Sequence, residues 1–188
     1  MKRILSLCLM LTVSTALSAQ TYGTLVPQPL KVIPSGGSFI MEKGLSVCAS
    51  GNMAFERGYL REHLERVFAF DVPVNDVPVY NGIILRQTDG MESEAYRLDV
   101  TEDNIIIEAS DCAGIFYGIQ TLLQMMHPAV YGGDSPELTR WVLDGVTVED
   151  SPRYAYRGTM LDVSRTFFDV DHVLRLLDWM AYHKLNKF

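Results

Sequence analysis

Cysteine is scarce, with three among 188 residues, and one of these, Cys8, lies in an apolar leader. The other two, Cys48 and Cys112, show no C-x-x-C or Cys-His ligand spacing. That excludes a cysteine-built zinc site and a densely stapled scaffold. A single disulfide and two free thiols are both compatible with the pair. Positive charge is sparse as well: 16 Lys and Arg stand against 23 Asp and Glu, with no basic cluster. Nucleic acid and anionic membrane surfaces are thereby excluded as partners, and a neutral substrate fits better. Low-complexity tracts and internal repeats are missing. After Leu17 no apolar run approaches the ~20 residues of a membrane span. No phosphate-cradling glycine loop, serine elbow or nucleotide fingerprint occurs. His172 and His183 share no metal-binding spacing. The neighbouring carboxylates Glu149 and Asp150, tempting as an acid and a base, read as a solvated pair in a linker.

What is present begins with the leader. Lys2 and Arg3 precede an apolar run from Ile4 to Leu17, and Ser18-Ala19 supplies the small residues of a cleavage site. This is the layout of a secretory signal peptide over residues 1–19, which implies export to the periplasm or the extracellular space. Its removal takes the formal net charge from −7 to −9. The remainder, 48% hydrophobic over the whole chain, is long enough to bury a core.

Periodicity divides that remainder in two. Pro27, Pro29 and Pro34 keep residues 24–34 extended. Short strands are expected at Ser38–Met41 and Leu45–Ala49, then a helix capped by Asn52 that buries Phe55, Tyr59, Leu60, His63, Leu64, Val67 and Phe68. A strand is expected at Gly82–Arg86. Tyr96, Leu98 and Val100 alternate with Arg97 and Asp99, and with Ile105–Ala109 they predict an antiparallel hairpin. Asp111 caps a second helix that runs to His127, and a strand follows from Trp141 to Val148. An α+β domain over residues 20–150, an antiparallel sheet with packed helices, accounts for this order. After Ser151-Pro152 the pattern becomes strand (Tyr156–Val163), helix (capped by Asp169 or Asp171) and the start of another strand at Leu185, a single βαβ unit. Trp141 and Trp179 are both expected to be buried.

Two strings carry a resemblance. Glu94-Ala95-Tyr96-Arg97-Leu98-Asp99-Val100 leads through Ile105–Ala109 to Gly114-Ile115-Phe116-Tyr117-Gly118-Ile119-Gln120-Thr121-Leu122-Leu123-Gln124. There Gly114 and Gly118 lie one helical turn apart and let the backbone approach the sheet. The second string is Tyr156-Arg157-Gly158-Thr159-Met160-Leu161-Asp162-Val163-Ser164-Arg165, with Asp178, Met180, Lys184, Leu185 and Asn186 after it. Together, in this order, they resemble glycoside hydrolase family 20: the end of its accessory domain, then the first strand and helix of its (β/α)8 barrel. The sequence departs from the family at Thr166, where a histidine is common.

The resemblance implies an exported β-N-acetylhexosaminidase that hydrolyses terminal GlcNAc or GalNAc on glycans or oligosaccharides, with no cofactor and no metal. Retention would come from attack by the substrate's own acetamido oxygen. It implies that Arg157 binds the terminal sugar, a role that suits the rigid donor fork of a guanidinium. It makes Asp162 and Arg165 an ion pair supporting the site. An Arg157 that merely pairs with a carboxylate is the competing reading of the bare sequence. No catalytic residue is assigned, because the family's adjacent Asp-Glu pair belongs to a later barrel strand. Residues 151–188 are thus expected to be a truncated first barrel unit, inactive alone, with apolar faces left uncovered. The alternatives are a non-catalytic scaffold or carbohydrate-associated module, or another glycosidase sharing the accessory domain.

Overall fold

The computed structural model describes residues 24–188, so the expected signal peptide lies outside the described residues. At the centre, β5 (Tyr96–Val100) and β6 (Asn104–Ala109) form the expected antiparallel hairpin, with Leu98 opposite Ile107. On one side β5 pairs antiparallel with β7 (Arg140–Asp150), which pairs antiparallel with β1 (Lys31–Glu42). On the other side β4 (Gly82–Gln87), β2 (Ser46–Ala49) and β3 (Val74–Asn75) are added in parallel. The order is β1-β7-β5-β6-β4-β2-β3.

The sheet is therefore mixed, which corrects the antiparallel expectation. The reason lies in the connection after β2. The chain leaves β2 through α1 (Ala54–Glu65), and a helical crossover returns the next strand in the same direction. β1 and β2, close in sequence, sit near opposite edges. β1 also starts earlier than expected and contains Pro34, which an edge strand tolerates beside its bulge between Pro34 and Ser38.

α1 is capped at Met53 with no side-chain bond, not at Asn52, and Phe55 points to solvent. α2 (Cys112–Gln124) is capped as expected: the Asp111 carboxylate accepts from the Gly114 N–H at 2.8 Å. It ends before His127, and Pro128–Tyr131 forms a single 3-10 turn. A Cβ at Gly118 would come within 2.5 Å of Ile107 Cγ2, and one at Gly114 would overlap the Ala95 carbonyl. Only glycine allows the helix to lie this near the sheet. Between helices and sheet, Leu60, Leu64, Ile83, Leu85, Leu98, Ile105, Ile107, Ile119 and Leu122 are fully buried. Burial on that scale stabilises by about 1.5–3 kcal/mol per side chain. The opposite sheet face carries Arg86, Arg97, Glu108 and Glu149. Cys48 and Cys112 are both free thiols, the first buried and the second exposed.

Beyond β7 the chain is organised differently. The expected strand at Tyr156–Val163 is reduced to one parallel bridge, Gly158 to Lys187, and Met160 is 83% exposed. α3 (Val170–Tyr182) forms where expected, with the Asp169 carboxylate accepting from the His172 N–H at 2.7 Å. Its apolar face stays open: Leu174, Leu177 and Trp179 are exposed, and only Met180 is buried. No element among the described residues covers that face. Trp179 is thus not the buried residue expected, while Trp141 is half-buried against the core.

Candidate functional site

The chemistry-bearing side chains meet where the sheet domain touches the ends of the last segment. Arg157 is the hub. Its Nη1 and Nη2 donate to the two carboxylate oxygens of Glu94 at 3.1 and 3.0 Å, a bidentate pair. Nη2 also donates to the Tyr117 hydroxyl at 2.9 Å, Nη1 to the Tyr154 carbonyl at 2.7 Å, and Nε to the Lys184 carbonyl at 2.9 Å. A guanidinium has five N–H donors, and each of them has a protein acceptor. The arginine beside Glu94 holds that carboxyl below its ordinary value, with Asn186 and Tyr117 adding donors.

A second cluster lies alongside. Lys184 Nζ donates to Asp150 Oδ2 at 3.1 Å and to the Tyr96 hydroxyl at 2.8 Å, and that hydroxyl donates to Asp150. Thr121 completes the set at 2.6 Å from the Tyr96 oxygen. Both ionised side chains are nearly enclosed, at 7% and 13% exposure. Burial pushes the Lys184 ammonium below its usual value, and Asp150 opposes that shift. Burial also pushes the Tyr96 hydroxyl well above its usual range, with Asp150 adding to it, so Tyr96 stays protonated and donates.

The backbone explains how Lys184 arrives there. Leu185 N–H donates to Met180 C=O and Lys184 N–H to Ala181 C=O, closing α3 with a Schellman turn. The residue past the helix end then needs positive φ, where glycine is favoured. Lys184 occupies it at 56°. A non-glycine residue there costs roughly 1–2 kcal/mol, and from that position the ammonium reaches Asp150 and Tyr96. Gln124, at the end of α2, adds a tie by donating to the Tyr182 carbonyl at 3.0 Å. The two clusters wall a cleft of about 330 Å³ that also touches Leu30 and Ser151.

Of the residues singled out from the sequence, Arg157 stands in this junction. Asp162 and Arg165 stand apart from it. They do pair, but on the surface, with Arg165 86% exposed, and Asp162 also accepts from the Ser164 and Arg165 N–H groups. The pair closes a turn rather than a buried strand end. Asp150 is the clearest correction: the expected solvated linker carboxylate is the last residue of β7 and an enclosed partner of Lys184. Glu94, Tyr117, Lys184 and Asn186 carried no individual role in the sequence. One signal for Lys184 was available: a charged residue, not glycine, follows the helix where it must stop.

A helix-covered mixed sheet whose loop and strand ends hold a following segment with one helix and one bridge is the arrangement the geometry defines. Comparison with known proteins makes the class specific. Residues 23–151 match the model of glycosyl hydrolase family 20, domain 2, and residues 154–188 match that family's catalytic domain. The chain belongs to glycoside hydrolase family 20. It is 29% identical over 169 residues to a β-hexosaminidase of Porphyromonas gingivalis, covering 87% of this chain and 22% of that protein. To the N,N'-diacetylchitobiase of Vibrio harveyi it is 31% identical, covering 87% and 18%. The solved structure of the family 20 β-N-acetylhexosaminidase from Streptomyces coelicolor superposes with a TM-score of 0.80 at 37% identity, covering 88% of this chain and 34% of that one. The chain thus spans about a fifth of the length of the two named sequence relatives. Among the described residues, no helix is long and apolar enough to cross a membrane.

Proposed function

We propose that these residues are the front part of an exported β-N-acetylhexosaminidase that removes terminal N-acetylglucosamine or N-acetylgalactosamine from glycans. The observation that carries this reading is the order of the two matches, accessory domain over 23–151 and catalytic domain over 154–188. A (β/α)8 barrel takes about 250 residues, and a match confined to residues 154–188 supports reading this segment as its opening unit. The leader over residues 1–19 supports export to the periplasm or extracellular space. Catalysis of this kind uses the substrate's acetamido oxygen as nucleophile. An adjacent Asp-Glu pair serves it, the aspartate orienting the acetamido group and the glutamate acting as acid and then base. No residue of this chain is assigned to that pair.

The sugar-binding role of Arg157 belongs to this proposal and carries a condition. All five donors are engaged within the protein, so a sugar hydroxyl bonds the guanidinium only by displacing one of those acceptors. That same saturation favours a second reading, a non-catalytic module in which Arg157 is purely a tie between domains. One assay separates them. The complete reading frame containing these residues is expected to release aryl alcohol from aryl N-acetyl-β-glucosaminide or galactosaminide, and the 188-residue chain alone to release none above a heat-killed control. No release by the complete frame, or release by the chain alone, overturns the reading.

A further inference from the structure

Glu94 lies on the loop ahead of β5 with φ at 66°. Glycine takes that backbone conformation without crowding, and a glutamate does not. The position keeps a carboxylate, and the carboxylate has a particular set of partners. Besides the two bonds from Arg157, Glu94 Oε1 accepts from Asn186 Nδ2 at 3.1 Å and from the Tyr117 hydroxyl at 3.1 Å.

Arg157 and Asn186 are on the two segments that pair in parallel within residues 151–188. Asn186 N–H and Lys187 N–H donate to the Arg157 carbonyl at 2.7 and 3.2 Å, and Thr159 N–H donates to the Lys187 carbonyl at 3.0 Å. The Asn186 side-chain oxygen also accepts from the Arg157 N–H at 3.1 Å. One accessory-domain carboxylate therefore grips both segments at the point where they meet.

Complete apolar burial does not fix this alignment, since Tyr156, Met160 and Phe188 are all exposed and Leu185 is only half-buried. The polar set does. A slip of one residue reverses which face each side chain presents. It would bring Leu185 or Lys187 to the place of Asn186. Leucine has no donor for Glu94, and lysine has no acceptor for the Arg157 N–H.

We propose that Glu94 is a register-setting residue: by holding Arg157 and Asn186 to one carboxylate, the accessory domain aligns the first two pairing segments of the following domain from outside it. The alignment is a property of these 188 residues and stands whether or not a longer protein hydrolyses glycosides.

Amide exchange by NMR on the 188-residue chain tests it, with the amides of β5, β6 and β7 as the internal measure of an intact sheet domain. In the unaltered chain the Thr159 and Lys187 amides are expected to be protected, with a through-hydrogen-bond coupling from the Arg157 carbonyl to the Asn186 nitrogen. Glu94→Gly removes the carboxylate while relieving the backbone. It is expected to speed exchange at Thr159 and Lys187 by about tenfold or more, as local opening does, and to abolish the coupling. Glu94→Gln keeps the length and backbone of the side chain but replaces one of its two acceptor oxygens and removes its charge. It is expected to do the same, so it decides the matter if Glu94→Gly disturbs β5. Unprotected Thr159 and Lys187 amides in the unaltered chain overturn the proposal. So does Glu94→Gly or Glu94→Gln with protection and coupling unchanged.

Discussion

The two parts of the described chain are held by different forces. Up to Asp150, apolar side chains from the strands and from α1 and α2 share one continuous core, with Leu98, Ile107 and Ile119 at zero exposure. From Ser151 onward Met180 is the single buried apolar residue, and the segment is tied down by Lys184, Arg157 and Asn186. A core tolerates approximate chemistry as long as volume and pattern are kept. A polar junction fails when one partner is lost, because the other is then left charged or unpaired in an enclosed place. The first part should therefore respond to loss of volume, and the second to loss of single donors and charges.

The largest effect is expected in the core. Leu98→Ala leaves a cavity under α2 and should lower stability by about 3 kcal/mol, read as a shifted urea midpoint. Because the junction rests on the sheet, protection of residues 151–188 should fall with it. Asp150→Asn breaks the comparison the other way. It leaves the Lys184 ammonium enclosed without its carboxylate, which costs about 3–5 kcal/mol for a fixed charge. Lysine can release its proton instead, so about 2 kcal/mol is expected. The loss should be local: limited proteolysis should cut within residues 151–188 while the β5–β6–β7 amides stay protected. Equal loss in both regions would show that they are one cooperative unit.

Much of the first region was legible before any coordinates, and the reason is its period. The alternation at Tyr96–Val100, the Asp111 cap and the two glycines on α2 each express a local rule, and all three appear as expected. The parallel half of the sheet was not legible, because strand direction is set by the α1 crossover and not by any strand's own residues. At the junction the sequence pointed to Arg157 but not to Glu94, which lies 63 positions away. Asp150 was misread for the same reason. A carboxylate's enclosure depends on a lysine 34 positions later, and no local pattern records that distance.

Acid should separate the regions by pH. His63 on α1 is buried, and burial pushes its imidazole below the usual value of 6.5. The unfolded chain binds that proton more readily, so its contribution to stability is complete above 6.5 and falls as pH drops through that value. Glu94 shifts in the same direction for a different cause and in a lower pH window. Its pKa is held below the ordinary 4.5 by Arg157, so its contribution is present above 4.5 and is lost only as pH falls further, through the folded-state value. Urea midpoints taken from pH 7 to 5 should therefore decline mainly through the sheet domain, with the Thr159 and Lys187 amides opening separately only at lower pH. His63→Gln should flatten the first decline; an unchanged slope would assign it to another group.

The smallest effect is expected on the open face of the sheet, and it asks whether paired charges matter when they are not enclosed. Register places Lys31, Glu149, Arg97, Glu108 and Arg86 in one row across β1, β7, β5, β6 and β4, alternating in sign. The contacts are as short as those at the junction: Lys31 to Glu149 is 3.0 Å and Arg86 to Glu108 is 2.9 Å. The difference is solvent, since the Lys31 and Arg86 side chains are 54% and 47% exposed. Exposed pairs contribute about 0–1 kcal/mol, so Lys31→Ala should cost a few tenths at most, about 0.3 kcal/mol, and that cost should fade in ~1 M salt as the screening length shrinks. Arg97 bonds both Asp99 and Glu149, and Arg97→Ala should therefore exceed Lys31→Ala while staying below Asp150→Asn. If Lys31→Ala matched Asp150→Asn, enclosure would not be what distinguishes the two charge sets, and the contrast between the regions would have to rest on the number of bonds alone.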